Sequence, residues 1–159
     1  MMFKLDAIMT TDVITVSPPT TLAEARSVMK DHRIRHLPVV TASGDIVGLL
    51  TQSDVLAATD SFLRDQGNRI RAREISIKDV MVTKVATVRE NASLRQAALF
   101  LENHRIGCLP VVTDGKLVGI ITDTDFVGVA INLLEQIEEL EPIEEEFAEG
   151  IVDEFAEED

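Results

Sequence analysis

The sequence predicts a mixed α/β (α+β) fold in which one β-α-β-β-α unit occurs twice. Residues 32–41 and 104–113 are identical at eight of ten positions and lie 72 residues apart, which indicates an internal repeat. The strand and helix patterns of the two copies also agree with each other. An apolar content of 45%, without Trp or Tyr, lets aliphatic side chains build a core in which the two units bury their apolar faces.

Each copy opens with a short β-branched stretch, Val13-Ile14-Thr15-Val16 or Val85-Ala86-Thr87-Val88, which predicts a strand. Thr21-x-x-Glu24 and Ser93-x-x-Gln96 are capping boxes, and each predicts the start of a helix. Helical spacing then places three apolar residues of each copy on one buried face: Leu22, Ala25 and Met29, and Leu94, Ala97 and Leu101.

The apolar runs 37–40 and 46–50 predict two buried strands joined by a turn at Gly44. The second copy has the same runs at 109–112 and 117–121, with a turn that is one residue shorter. A second helix is expected to begin soon after each hairpin. We therefore divide the chain into repeat 1 (1–60), a connector (61–77), repeat 2 (78–132) and a C-terminal tail (133–159).

Charge is distributed unevenly along the chain. Residues 135–159 carry 13 acidic and no basic side chains, whereas the rest of the chain is neutral. An acidic tail argues against nucleic acid as a partner, because phosphates are held by clustered Lys and Arg. Phe147, Ile151 and Phe155 keep helical spacing, so the tail is either an amphipathic helix that docks on a hydrophobic groove or a disordered segment. In the connector, Arg69, Arg71 and Arg73 form either a solvated linker or a docking strip for phosphate or for the tail.

Several protein classes are not expected. No apolar run reaches the ~20 residues of a membrane helix, and the start lacks the features of a secretory signal. The lone Cys108 cannot form an internal disulfide, so we expect a soluble cytoplasmic protein. His32-x-x-x-His36 and His104-x-x-x-Cys108 have the spacing of a helical zinc pair, but a strand begins directly afterwards, so no metal site is expected.

The motif with the most chemical content is Thr51-x-x-Asp54, repeated as Thr122-x-x-Asp125. Each follows a buried strand and opens a helix. One interpretation is an N-cap with an acidic residue in the first helical turn. The other is a ligand site, because a carboxylate there can accept hydrogen bonds from both hydroxyls of a ribose. The two roles are compatible.

With these motifs in place, residues ~6–130 resemble a tandem pair of CBS domains, the arrangement called a Bateman module. The resemblance is carried by motifs that each occur twice: Met9, Val13-Ile14-Thr15-Val16, Leu37-Pro38-Val39-Val40, Gly48-Leu49-Leu50-Thr51-x-x-Asp54 and their counterparts. It implies two repeats related by a pseudo-twofold axis, a homodimer, and clefts that hold an adenosine-containing ligand. AMP, ADP, ATP and S-adenosylmethionine are the candidates.

The resemblance also implies residue roles. Asp54 and Asp125 would bind ribose, with Thr51 and Thr122 near ribose or phosphate. The remaining ligand contacts would come from the first strands and the Leu-Pro segments: Val13, Ile14, Thr15, Val85, Ala86, Thr87, His36, Leu37, Pro38, Cys108, Leu109 and Pro110.

The pairs His32-Arg33 and His104-Arg105 match phosphate-reaching positions of the nucleotide-binding subunit of AMP-activated kinase. An imidazole and an arginine fork suit phosphate oxygens, although both pairs can also simply close the first helix. Arg35-His36 is replaced by Gly107-Cys108 in the second copy. We therefore expect unequal affinities, with the cleft nearer Arg35 holding phosphate better.

These observations favour a regulatory ligand-sensing module over an enzyme, because no nucleophile motif or split carboxylate pair is present. Ligand binding would shift the packing of the repeats, and an effector protein of unknown identity would respond. The alternative is a structural dimerisation or assembly protein whose clefts stay empty and whose acidic tail binds a partner.

Overall fold

The computed structural model describes residues 3–64 and 75–138. Repeat 1 contains α1 (Leu22–His32), β1 (His36–Val40), β2 (Ile46–Thr51) and α2 (Gln52–Arg64). Repeat 2 contains β3 (Val88–Arg89), α3 (Leu94–His104), β4 (Cys108–Thr113), β5 (Lys116–Thr122) and α4 (Asp123–Glu138). A 3₁₀ helix precedes each repeat, at Leu5–Ala7 and Ile77–Asp79. The expectations for the arginines of the connector and for Phe147, Ile151 and Phe155 concern residues outside these ranges.

The chain divides into two units, Met1–Asp123 and Thr124–Asp159. The first unit contains all five strands and helices α1 to α3. The described part of the second unit is helix α4 from Thr124 to Glu138, which has no buried residue. Val127, Ile131 and Leu134 on this helix are each at least half exposed. No helix among the described residues combines the length and the apolar character needed to cross a membrane.

Both predicted capping boxes are present. Glu24 N donates to Thr21 Oγ1 at 3.2 Å, and Thr21 N donates to Glu24 Oε2 at 3.1 Å. Ser93 and Gln96 make the same pair of bonds at 3.1 and 3.0 Å. The six apolar residues predicted for the inner faces of α1 and α3 are all buried, which confirms the helical periodicity.

The predicted hairpins are also confirmed. Strand β1 pairs antiparallel with β2, and β4 pairs antiparallel with β5. Each pairing contains one irregularity, between Val39 and Val40 or between Val111 and Val112. Gly44 in the first turn has a φ of 88°, a value that glycine adopts without steric cost.

The predicted first strands are much shorter than expected. In repeat 1 only Val16 pairs, in parallel with Val39, and in repeat 2 only Val88–Arg89 forms a strand beside β4. The reason is that residues upstream of each pairing, Thr10 and Val82, are hydrogen-bonded to the other repeat. Residues 11–15 and 83–87 therefore cross between the two repeats and cannot form a longer ladder with their own.

This exchange of leading segments follows a pseudo-twofold pattern. Thr10 and Ile120 exchange two backbone hydrogen bonds of 2.9 Å, and Val82 and Leu49 exchange two of the same length. Further upstream, Leu94 N donates to Phe3 O at 2.9 Å, and Leu22 N donates to Ile75 O at 2.8 Å. Each repeat is therefore completed by the segment that precedes the other one.

The hydrophobic core of repeat 1 shows the consequence of the exchange. Its buried members include Ile75 and Ile77, which precede repeat 2 in the chain. The other members come from α1, β1, β2 and α2: Leu22, Ala25, Met29, Leu37, Val39, Leu50 and Val55. Since burial of apolar area is the main stabilising term in folding, repeat 1 depends for part of its stability on the segment that leads into repeat 2.

The tips of the two hairpins also meet. Leu117 N donates to Gly44 O at 3.1 Å, and Lys116 Nζ lies 3.0 Å from Asp45 Oδ1. Hydrogen bonds from Lys116 and Ser43 lower the pKa of Asp45. Because this ion pair is exposed, it contributes less to stability than the buried core does.

The exchanged segments pass so close to the hairpins that two glycines are required. A Cβ atom on Gly48 would overlap the side chain of Met81. A Cβ atom on Gly119 would lie 2.7 Å from Met9 Sδ and 3.1 Å from the carbonyl oxygen of Thr10. The glycine and the methionine that recur in both copies thus pack against each other, Gly48 with Met81 and Gly119 with Met9.

We expect Gly48→Ala and Gly119→Ala each to lower the free energy of unfolding by roughly 1–3 kcal/mol, the usual cost of overpacking. Gly119→Ala should have the larger effect, because a backbone carbonyl is less able to move than the end of a Met side chain. Gly128→Ala on α4 is the control: its Cβ meets nothing within 4 Å, so it should stabilise by about 0.5–1 kcal/mol. Urea denaturation measures all three, and equal effects at the three glycines would contradict the close-contact explanation.

Candidate functional site

The end of β2 and the start of α2 hold Thr51 and Asp54 in a reciprocal pair of hydrogen bonds. Asp54 N donates to Thr51 Oγ1 at 3.1 Å, and Thr51 N donates to Asp54 Oδ2 at 3.1 Å. Both side chains are half-buried. The capping interpretation of the Thr-x-x-Asp motif is therefore confirmed in repeat 1, with aspartate in the place of the usual glutamate.

Capping does not use all of the hydrogen-bonding capacity of these two groups. A hydroxyl that accepts one bond still has its own proton to donate, and a carboxylate offers about four acceptor positions on its two oxygens. The pair also lies at the N-terminus of α2, where the helix dipole favours negative charge. Asp54 is thus a carboxylate of fixed position that can accept further hydrogen bonds without loss of the helix cap.

The hairpin register brings the Leu-Pro segment next to the cap. His36 is the direct cross-strand partner of Thr51, and Cys108 is the partner of Thr122. Directly opposed residues in an antiparallel pair have Cβ atoms about 4.5–5.5 Å apart. The Leu-Pro segment and the Thr-x-x-Asp motif, which the sequence only suggested as neighbours, are therefore adjacent in each repeat.

A backbone hydrogen bond ties the start of each Leu-Pro strand to the start of the following helix. Gln52 N donates to Arg35 O at 2.9 Å, and Asp123 N donates to Gly107 O at 3.0 Å. The first helical amide in each repeat is thereby satisfied by the residue that precedes the strand. This bond keeps the cap and the strand together as one structural element.

His36 reaches across the boundary between the repeats to Gly107. A Cβ atom on Gly107 would lie 3.0 Å from His36 Nε2 and 3.3 Å from Cε1. A larger side chain at position 107 would have to displace the imidazole ring. Gly107 thus has a packing role that comes from the other repeat, and it explains why glycine stands where repeat 1 has Arg35.

The surroundings of His36 lower the pKa of its imidazole. Burial is the main cause, and the positive charge of Arg35 acts in the same direction. The carboxylate of Asp123 raises this pKa by more than Arg35 lowers it, but by less than burial lowers it. Desolvation disfavours the charged form, so the environment favours a neutral ring.

The other members of the Leu-Pro segments are core residues. Leu37, Pro38, Leu109 and Pro110 have fully buried side chains, and Cys108 is 4% exposed. Burial, together with the nearby negative charge of Asp123, raises the pKa of the Cys108 thiol to about 12. A thiol of this kind is a packed apolar group and a poor nucleophile.

The residues predicted from the first strands lie beside the Leu-Pro strands. Val16 N donates to Pro38 O at 3.1 Å, which fixes the preceding Val13, Ile14 and Thr15 near β1. These three residues are half-buried. In repeat 2, Val85 and Ala86 are half-buried as well, whereas Thr87 is exposed.

The two His-Arg pairs lie at the exposed C-terminal ends of α1 and α3. The imidazole Nδ1 atoms of His32 and His104 lie 3.0 Å from the carbonyl oxygens four residues earlier, and His104 also stacks on Phe100. Arg33 and Arg105 follow in the left-handed region, with φ of 53° and 51°. Helix closure, the alternative role for these pairs, is confirmed.

Arg33 and Arg35 line a groove of about 420 Å³ between α1 and α2, which Gln52 also lines. Both arginines are exposed.

In repeat 2, Thr122 ends β5 and Asp125 falls in the first turn of α4. Both of these residues take part in interactions.

Sequence reasoning missed the contributions of Asp123 and Gly107. Asp123 replaces Gln52 in the second copy and places a negative charge near His36 and Cys108. The signal was available, because positions 107, 108 and 123 are three differences clustered around an otherwise repeated motif. Spacing alone does not indicate that these positions meet in space.

The helical zinc pair suggested by His32 and His36 does not form, since α1 ends at His32 and His36 begins β1. Across the described ranges, no group of three or more His, Cys, Asp or Glu side chains is arranged to hold a metal ion.

Comparison with known sequences gives the following matches. A family model for the CBS domain matches residues 5–61 and 77–132. The CBS domain-containing protein YhcV of Bacillus subtilis is 37% identical over 113 residues, which make up 71% of this chain and 75% of YhcV. Inosine-5′-monophosphate dehydrogenase of Methanocaldococcus jannaschii is 35% identical over 125 residues, or 78% of this chain, but only 23% of that enzyme is covered.

Solved structures show the same fold. A Vibrio cholerae chain assigned to acetoin utilization (AcuB) has a TM-score of 0.75 and 42% identity, over 89% of this chain and 100% of that one. The CBS domain pair of MJ0100, solved with 5′-methylthioadenosine and S-adenosyl-L-methionine, has a TM-score of 0.72 and 25% identity, over 84% and 99%. CBSX2 in complex with AMP has a TM-score of 0.70 and 27% identity, over 82% and 98%.

We expect Cys108 in the folded protein to react very slowly with iodoacetamide at pH 8. A pKa of about 12 instead of 9.0 reduces the thiolate fraction by roughly 1,000-fold. Mass spectrometry of the alkylated protein measures the rate, and the urea-unfolded chain is the control. A folded-state rate within tenfold of the unfolded rate would show that the thiol is neither buried nor depleted of thiolate.

We expect His36 to make stability depend on pH. The unfolded chain binds a proton at His36 near pH 6.5, whereas the folded chain binds it only at lower pH. The free energy of unfolding should therefore fall as the pH decreases below about 6.5. In His36→Gln, the loss of stability between pH 7.5 and pH 5.0 should be smaller than in the wild type, as measured by urea denaturation. The exposed His32→Gln serves as the control, and identical pH dependence of wild type and His36→Gln would refute the assignment.

Proposed function

Because the chain belongs to the CBS-domain family and carries two of these domains in tandem, we propose that it is a regulatory module for an adenosine-containing ligand. The ligand would bind between the repeats, and a partner protein would respond to the resulting change. AMP, ADP, ATP and S-adenosylmethionine are the candidate ligands. The chain itself would carry no catalytic activity.

The observation that carries this proposal is the position of Asp54. Its carboxylate is held at the start of α2 by Thr51, and His36 lies directly across the hairpin. A ribose presents two adjacent hydroxyl donors, which a single carboxylate can accept together. Hydrogen bonds to a charged acceptor contribute about 1.5–3 kcal/mol each, enough for the main contact to a sugar. Asp125 has the equivalent place in the second repeat's sequence.

The ligands of the structural neighbours support recognition of the adenosine part of the ligand. 5′-Methylthioadenosine, S-adenosyl-L-methionine and AMP differ at the 5′ position but share adenosine. A site that reads ribose and adenine would accept all three. The half-buried Val13 and Ile14 offer an apolar surface suited to a purine ring.

The charges around the two sites support unequal preferences. Repeat 1 has Arg35 and the neutral Gln52, whereas repeat 2 has Gly107 and Asp123 at the equivalent positions. A phosphate group would be attracted to Arg35, which has no basic counterpart in repeat 2. AMP would therefore bind more tightly to the site of Asp54.

The exchange of leading segments supplies a route for signalling. Leu49, two residues before Thr51, is hydrogen-bonded to Val82 of the other repeat. A ligand that tightens the cap would favour one packing of the repeats, by no more than its difference in affinity for the two packings. We further propose that the protein is a homodimer and that, with its lone buried thiol, it acts in the reducing cytoplasm.

A structural assembly protein with empty clefts is the second candidate. It is favoured by helix α4, on which Val127, Ile131 and Leu134 form an exposed apolar stripe at helical spacing. A stripe of this kind is typical of a surface that contacts another protein. In that case neither repeat would bind an adenosine compound.

We expect Asp54→Asn to weaken the tighter AMP binding by about tenfold or more, through loss of a charged acceptor. Asparagine keeps a side-chain oxygen that can accept from Thr51 N, and Thr51 still caps the helix, so the variant should keep the start of α2. Asp125→Asn should leave the tighter site intact. Titration calorimetry with AMP and with S-adenosylmethionine measures both variants.

The control is Asp60→Asn, which removes an exposed carboxylate from the same helix. It should bind AMP like the wild type. Unchanged AMP affinity in both Asp54→Asn and Asp125→Asn would refute the ribose role. Absence of binding by the wild-type protein to any of the four candidate ligands would favour the assembly protein instead.

A further inference from the structure

A cavity of about 580 Å³ lies at the tip of the β4–β5 hairpin, away from the proposed ligand site. It is lined by residues 89–91, at the end of β3, and by residues 112–115, at the end of β4 and in the turn to β5. Cys108 pairs with Thr122 at one end of this hairpin, and Thr113 pairs with Lys116 at the other. The cavity is therefore about 17 Å of strand away from the Thr-x-x-Asp motif.

The cavity forms where two parallel strands end side by side. Strand β3 pairs in parallel with β4, with Arg89 beside Val112, so the chain leaves both strands at the same edge of the sheet. Ligands often bind at the carboxyl ends of parallel strands, because the loops there direct polar groups towards one place. The volume also falls within the usual range of small-molecule sites, about 300–1,000 Å³.

Hydrogen bonds hold the polar residues after β3 in place. Thr113 Oγ1 donates to Glu90 Oε2 at 3.0 Å, which joins the loop after β3 to the end of β4. Ala92 N donates to Arg89 O at 3.0 Å and closes that loop. A carboxylate offers about four acceptor positions, so Glu90 can accept further hydrogen bonds while Thr113 holds it.

The turn between β4 and β5 places a second carboxylate at the cavity. Asp114 and Gly115 have φ of 50° and 77°, as in a two-residue I′ hairpin turn. A Cβ atom on Gly115 would lie 3.6 Å from Asp45 Oδ1 of repeat 1. The cavity therefore adjoins the place where the tips of the two hairpins meet.

The charged groups of the cavity are not required by the fold, because repeat 1 lacks them. Residues 89–91 correspond to Ser17-Pro18-Pro19, and Asp114 corresponds to Ser43. The Thr41 hydroxyl of repeat 1 is hydrogen-bonded to Ser43 within its own turn, whereas its counterpart Thr113 reaches the loop after β3. The same scaffold thus folds with and without a charged cavity at this position.

The lining presents both signs of charge in one small space. Arg89 supplies a guanidinium, and Glu90 and Asp114 supply carboxylates. An arginine fork binds a carboxylate through two parallel hydrogen bonds, and an ammonium group has three protons to donate to carboxylates. A simple anion would be repelled by the two carboxylates and a simple cation by the arginine. A molecule that carries an ammonium and a carboxylate close together satisfies all three groups.

We propose that this cavity binds a free α-amino acid. The carboxylate of the ligand would contact Arg89 and Asn91, and its ammonium group would lie between Glu90 and Asp114. The half-buried Val112 would contact its side chain. The proposal does not depend on nucleotide binding, because residues 89–91 and 112–115 have no place in the proposed adenosine site.

Nuclear magnetic resonance titration of the ¹⁵N-labelled full chain with each standard amino acid at millimolar concentration tests the proposal. At least one amino acid should produce saturable shifts of the amide signals of Asn91, Thr113 and Gly115. Arg89→Ala and Glu90→Gln should each weaken its binding by about tenfold or more, through loss of a charged partner. Arg95→Ala and Glu102→Gln remove exposed charges from α3 and should bind like the wild type.

Derivatives of the amino acid that binds best test recognition of both charges. The methyl ester lacks the carboxylate and the N-acetyl derivative lacks the ammonium group, so each should bind at least tenfold more weakly. Absence of saturable shifts at the cavity with every amino acid would overturn the proposal, as would full affinity of either derivative or of both cavity variants. Asp54→Asn should leave this binding unchanged, so its failure and that of the adenosine site are distinguishable.

Discussion

The structure depends on the exchange of leading segments between the two repeats. Thr10 is hydrogen-bonded to Ile120, and Val82 is hydrogen-bonded to Leu49 in the equivalent way. Because Ile75 and Ile77 are part of the core of repeat 1, the residues of that repeat alone do not complete its core. The packing of the two repeats against each other is therefore part of the fold of each.

The same exchange would let a helix cap take part in the proposed regulation. Thr51 and Asp54 are locked together at the start of α2, two residues beyond a strand position that is bonded to the opposite repeat. The cap thus lies directly after a contact between the two repeats. A ligand held by Asp54 would act on an element whose position depends on both halves of the molecule.

The differences between the repeats carry more functional information than their similarities. Shared residues such as the capping boxes and the close-contact glycines maintain the fold. The unshared ones change the charge of equivalent places: Arg35 against Gly107, Gln52 against Asp123, and Lys30 against Glu102. Local charge changes after duplication give one scaffold two repeats of unlike charge.

Features that depend on nearby residues were predictable from the sequence. The capping boxes, the buried faces of α1 and α3 and the hairpins with the Gly44 turn were all predicted correctly. The predicted first strands were wrong in length, because the residues just upstream, Thr10 and Val82, are hydrogen-bonded to the opposite repeat. For the candidate site, the motif and its capping role could be predicted, but the approach of His36 to Gly107 could not.

The sequence by itself determined the duplicated unit and the local hydrogen bonds that begin its helices, since these follow from periodicity and from side chains within four residues of each other. Only the tertiary structure decided which segment completes which repeat, why Gly48 and Gly119 bear no side chain, and how burial shifts the pKa of His36 and Cys108. These properties arise from contacts between residues far apart in the chain, for which no local pattern exists.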